Sequence, residues 1–124
     1  MDLRTKALTL LSTTVVDMKT DQKNTLFTVP AGKKCIISHV IVREPDATLV
    51  GGTEYDLGDD ANCTTWVQDT NLATLTDTNH QMMIHATGLL IVFAALAVFG
   101  IRPVSGSNDP ANATIDVFGY LFDA

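Results

Sequence analysis

Residues Met82 to Ile101 read MMIHATGLLIVFAALAVFGI, and the fold turns on whether this run crosses a membrane or lies in sheets. Its fully apolar part, Gly88 to Ile101, would rise about 21 Å as a helix against a hydrocarbon core of about 30 Å, so a span must recruit the weaker half that holds His85 and Thr87. The flanks do not suit a bilayer interface either. No Lys or Arg lies between Arg43 and Arg102, and neither end carries Trp or Tyr. The run therefore reads as two buried strands, broken near Gly88 and again at the small residues Ala94 and Ala95, with a membrane protein spanning at 82–101 as the weaker alternative.

Working outward from that run, the chain is strand-like almost throughout. Thr9 to Val16, TLLSTTVV, is rich in β-branched residues that lose freedom in a helix and pack well on a pleated surface. A polar turn, Met18 to Asn24, leads into an extended Thr25 to Val29. At Val29-Pro30-Ala31-Gly32 the chain reverses, since Pro30 fixes φ and Gly32 tolerates the positive φ of a tight turn. Lys34 to Arg43, KCIISHVIVR, alternates Ile36, Ser38, Val40, Val42 with Cys35, Ile37, His39, Ile41, so both faces are largely apolar and the strand is expected at the centre of a two-layer structure. Gly51 to Asn62 is an acidic loop around a short TEYDL strand. Cys63 to Val67 is a further strand, and Asp69 to Asp77 a single loose turn that packs Leu72 and Leu75 downward. Strands at His80–Ala86, Gly88–Ala94, Leu96–Pro103 and Ala113–Phe122 complete the pattern. About eight short strands with frequent turn signals predict an all-β fold, an antiparallel β-sandwich in a single domain over residues 9–124 behind an N-terminal arm of residues 1–8.

Composition narrows the function classes. The 124 residues carry 8 basic and 14 acidic side chains, a formal charge of −6, which repels phosphate backbones and anionic lipid alike; nucleic acid and membrane surfaces are not expected partners. The first sixteen residues, MDLRTKALTLLSTTVV, lack the apolar stretch of a signal peptide, and synthesis in a cytoplasm is expected. Cys35 and Cys63 form no CxxC pair and read as buried, reduced thiols.

Residues suited to chemistry are few. His80 and His85 are five apart, on opposite faces of one strand, and cannot jointly hold a metal from it. Asp56, Asp59 and Asp60 miss the spacing of a twelve-residue calcium loop. A cupin-type metal site needs an H-x-H pair followed by Glu, whereas His39 is followed by Val40 and Ile41. No nucleophile elbow or phosphate-binding loop is present. The expectation is a chain that is not an enzyme and takes no cofactor or metal. Trp66 either anchors an interface or packs between the sheets.

The segments TLFTVPAGKKCIISHVIVREP, GGTEYDLGDDANCTTW and TIDVFGYLF resemble small β-sandwich virion proteins of tailed phages and prophages, over roughly Thr25 to Phe122. The resemblance implies a jelly-roll-like capsid decoration or cement protein, a homotrimer whose partner is the major capsid protein and whose place is the capsid surface of the virion. Arg4 and Lys6 in the arm, opposite in sign to the rest of the chain, are with Trp66 the candidate interface residues. The alternatives are another virion structural protein, in tail, fibre or baseplate, and a lectin-like binding module, for which one Trp, two Tyr and five Phe offer little material for a sugar-stacking platform.

Overall fold

β-Branched and aromatic residues run through nine strands in the computed structural model, which describes residues 7–86, 88 and 90–124. They are β1 (Thr9–Asp17), β2 (Asn24–Thr28), β3 (Lys33–Arg43), β4 (Glu54–Gly58), β5 (Val67–Thr70), β6 (Gln81–His85), β7 (Val92–Phe93), β8 (Val98–Ser105) and β9 (Asn112–Asp123). One sheet has the order β1-β9-β3-β6, with β7 also on β3; the other has the order β2-β8-β4-β5. Every pairing is antiparallel, and the pairs nest: β1 with β9, β2 with β8, β3 with β6, β4 with β5. That nesting is one long antiparallel ribbon rolled into two layers, the jelly-roll form of the β-sandwich. No helix of the described residues is long and apolar enough to cross a membrane.

The core lies between the layers. Val16, Ile37, Val40, Val42, Ile115 and Val117 from the larger sheet meet Leu26, Tyr55, Leu57, Phe99 and Ile101 from the smaller. Tyr55 is fully buried, and its hydroxyl donates to the Met18 carbonyl at 2.7 Å. Leu72 and Leu75 pack down from a single turn in which Leu75 N donates to Leu72 O at 3.0 Å. At the β2–β3 connection Lys33 N donates to Pro30 O at 3.2 Å, and Gly32 has a φ of 74°.

Three expectations are corrected. The buried strand expected over Gly88–Ala94 shrinks to β7, which pairs with only Cys35 and Ile36 of β3. Phe93 turns into the core, but Leu90, Ile91 and Val92 are exposed. The chain is drawn off the sheet just afterwards: Leu96 adopts a φ of 69°, its N–H donates to Val29 O at 2.8 Å, and Ala97 N donates to Ala94 O at 3.1 Å. The strand expected at Cys63–Val67 begins only at Val67. Before it, side chains hold a tight loop instead: Asp59 accepts from Thr65 Oγ1 and Asp60 from Thr64 Oγ1, each at 2.6 Å, and Cys63 has a φ of 56°. Finally, β3 does not alternate evenly. A bulge between Ile37 and His39 opposes Gly119 and Phe118, so that Cys35, Ile37, Val40 and Val42 all point into the core.

Candidate interaction surface

The bulge in β3 decides what the outer face of the larger sheet carries. Because Ile37 and Val40 both face the core, the residues that alternate with them, Ile36, His39, Ile41 and Arg43, face outward. Cross-strand register sets them in rows. Leu10 of β1, Phe118 of β9, His39 of β3 and His85 of β6 form one row. Thr13, Asp116, Ile41 and Met83 form the next, and Val15, Thr114, Arg43 and Gln81 the one beyond. On the other side, Tyr120, Ile36 and Val92 continue the face.

This surface is apolar where an isolated sandwich is normally polar. Val15 is 69% exposed, Leu10 50%, Met83 48% and Val92 48%. Phe118, Tyr120 and Phe122, every second residue of β9, stand half-buried beside them. Ile36 is only 3% exposed yet lies outside the core cluster; it is covered on the outer face by its cross-strand neighbours Tyr120 and Val92. The His39 ring stacks on Phe118 at 4.7 Å between centroids and lies 6.4 Å from the His85 ring. Burial and the neighbouring His85 hold His39 below the usual histidine pKa, which favours the neutral imidazole on an apolar face.

Charge on the face is close to balance. Asp116 accepts from Arg43 Nε at 2.7 Å and from Thr13 Oγ1 at 2.8 Å, and the Arg43 guanidinium with these bonds holds its carboxyl below the usual range. The acidic surplus lies elsewhere. On the outer side of the smaller sheet, Glu54, Asp56 and Asp69 bring carboxylate oxygens within 4.8 Å of one another. These are the residues of the described chain that could hold a cation, rather than the Asp56, Asp59 and Asp60 set considered from spacing. A hydrogen bond in which protonated Glu54 donates to the Asp69 carboxylate raises the Glu54 pKa, and Asp69 N donates to Asp56 Oδ1 at 2.9 Å. Asp59 and Asp60 serve the loop, where Lys23 Nζ also donates to their carbonyls at 3.2 and 3.1 Å.

Of the residues singled out in the sequence, Arg4 and Lys6 lie outside the described residues. Trp66 is not an exposed anchor: it is 6% exposed and meets Phe99 edge-on at 5.4 Å between centroids, because the turn before β5 points it between the layers. Pro30 and Gly32 lie in the β2–β3 turn, where Gly32 O accepts from Ala124 N at 3.0 Å beside the end of β9. Cys35 and Cys63 are free and buried, and burial pushes both thiols up to about 11. Strand pattern alone does not reveal the row Leu10–Phe118–His39–His85. Each residue sits on a different strand, and the β3 bulge shifts His39 into the row.

Fold and surface together define a jelly-roll sandwich with one apolar and one acidic outer face. A chain of the cyanophage Pam1 capsid asymmetric unit has a similar fold, with a TM-score of 0.61 at 16% sequence identity over 93% of the present chain and 85% of that one. No protein-family model and no curated protein matches the chain.

Proposed function

We propose that the chain is a structural protein of a phage particle, a decoration or cement protein that binds the outside of the assembled head and stabilises it. It acts as a homotrimer with the major capsid protein as partner, and it does no catalysis. The observation that carries this reading is the exposed apolar face centred on Phe118, Met83 and Val15, which a lone soluble domain has no use for and a subunit of an assembly does. Similarity in fold to a chain of a phage capsid asymmetric unit, along most of both chains, supports a capsid as that assembly. The acidic face of the smaller sheet suits the solvent side of a particle. Arg4 and Lys6 oppose the acidic character of the chain and are proposed contacts to the shell.

The aromatic column Phe118, Tyr120 and Phe122 is the feature that would serve a lectin-like module. Its neighbours Leu10, Ile36, Ile41, Met83 and Val92 offer a sugar no hydrogen bonds, and a protein partner fits them better. The test compares particles with and without the protein. Heads that lack it release their genome at lower temperature or under milder osmotic shock, and added protein restores them. Heads that keep their heat resistance while tails or adsorption are lost overturn the decoration role in favour of a tail, fibre or baseplate module.

A further inference from the structure

We propose that the outer face of the larger sheet is the surface through which three copies of this chain close around a three-fold axis, with the row Leu10–Phe118–His39–His85 turned towards that axis. The inference rests on the homotrimer of the preceding section and assigns its interface; it makes no use of the capsid.

Three observations on the face point to a second copy as its occupant. The first is charge. A chain of formal charge −6 repels its own copies over most of its surface, but this face carries Lys34 and Arg43 beside Asp116 and Glu44, both of which are paired with Arg43. The acidic cluster Glu54, Asp56, Asp69 belongs to the opposite sheet. Like-charge repulsion is therefore smallest where apolar area is greatest.

The second is size. The face is four strand positions wide, β1, β9, β3 and then β6 with β7 end to end along β3, which at about 4.8 Å per strand is about 19 Å. Along β9 from Thr114 to Phe122 it runs about 27 Å. The footprint of about 500 Å², increased by side-chain relief, is what each copy gives in total, about half of it to each neighbour, so a single pairwise contact falls short of the roughly 800 Å² per partner of a standard interface and the ring is held only when all three contacts close together.

The third is shape. Three walls about 19 Å wide enclose a triangular prism whose inscribed radius is about 5.5 Å, while two packed sheets stand about 10 Å apart, so that each fills about 5 Å with side chains. Faces of this width meet at a three-fold axis without a void. The contact is heterologous: the β1–β9 half, with Leu10, Val15 and Phe118, meets the β3–β6–β7 half of the next copy, with Ile36, Met83 and Val92. Each half then covers residues that stay exposed in one copy.

The experiment is the solution mass of the purified full chain by light scattering at tens of micromolar, with circular dichroism on the same samples. The wild type is expected at about 40 kDa, three times the 13.3 kDa chain. Val15→Glu and Met83→Glu, exposed substitutions at opposite ends of the face, are expected to give 13.3 kDa species with an unchanged β spectrum. Gln68→Glu, exposed on the smaller sheet, is expected to leave the trimer intact. A wild type that is monomeric or dimeric overturns the inference. So do trimers that survive both Val15→Glu and Met83→Glu. Binding to heads separates the two proposals: wild-type trimers that fail to bind heads overturn the decoration role and leave the interface standing, whereas a monomeric wild type that binds heads overturns the interface alone.

Discussion

Replacing Tyr55 by Phe removes one hydroxyl from the centre of the sandwich, and the structure fixes how much that costs. The side chain is fully buried, and its hydroxyl donates to the Met18 carbonyl at 2.7 Å. The same carbonyl also accepts from Ser107 N at 3.1 Å. Losing the tyrosine hydroxyl therefore leaves no orphaned acceptor, and the penalty is that of one net hydrogen bond, about 1 to 1.5 kcal/mol, rather than the larger cost of an unsatisfied buried carbonyl. For a chain of this length, with an unfolding entropy of about 2.1 cal/mol/K per residue, the melting temperature falls by about 4 to 6 °C. Calorimetry at one fixed protein concentration reads this directly. The hydroxyl also limits what Gly52 can become, since a Cβ there would lie 2.5 Å from the Tyr55 oxygen and 2.8 Å from the Leu49 carbonyl. Gly52→Ala is thus expected to be more damaging than Tyr55→Phe, and the pair to be less than additive because one of three clashes disappears while those with the Leu49 carbonyl and the ring carbon at 2.9 Å remain. Burial pushes the Tyr55 phenol up to about 12, so alkaline difference absorbance should show this ring ionising only near that pH. A melting temperature within about 1 °C of wild type refutes the hydrogen bond, and a fall of more than about 15 °C refutes the argument that Ser107 keeps Met18 satisfied.

Gly32→Val forces a β-branched residue to a φ of 74°, where a Cβ meets nothing within 4 Å; the cost is backbone strain alone, about 1 to 3 kcal/mol by urea denaturation, with no separate effect on oligomer mass. The hydrogen bond from Arg43, with that from Thr13, holds the Asp116 carboxyl below its ordinary range, so its contribution to stability is complete above the unfolded-state pKa and is lost as pH falls through the lower, folded-state value. Asp116→Asn should flatten the acid limb of a plot of stability against pH, and an unchanged limb refutes the assignment. Cys35 and Cys63, with thiols pushed up to about 11, should resist a thiol reagent at pH 8 in the native protein and react fully in denaturant; rapid native labelling contradicts their burial.

Local chemistry in the chain determined the class of fold and much of its detail. β-Branched runs, the Pro30–Gly32 turn and the broken apolar stretch at 82–101 are signals carried by neighbouring residues, and β1, β2, β3, β6, β8 and β9 lie close to where those signals put them. The same is true of Leu72 and Leu75, whose burial follows from their spacing across one turn. Tertiary structure decided the faces. A single extra residue in β3, opposite Gly119 and Phe118, moves His39 and Ile41 outward while Val40 stays in the core, and no local pattern marks that residue, because apolar side chains stand at both even and odd positions around it and Ser38 is small enough for either face. It likewise decided that Leu90 to Val92 lie exposed, since the turn that pulls Leu96 onto Val29 is a contact between residues far apart in the chain. The apolar surface is made of residues from five strands that become neighbours only through long-range pairing, and of the two places open to Trp66, an interface or the space between the sheets, the fold takes the second.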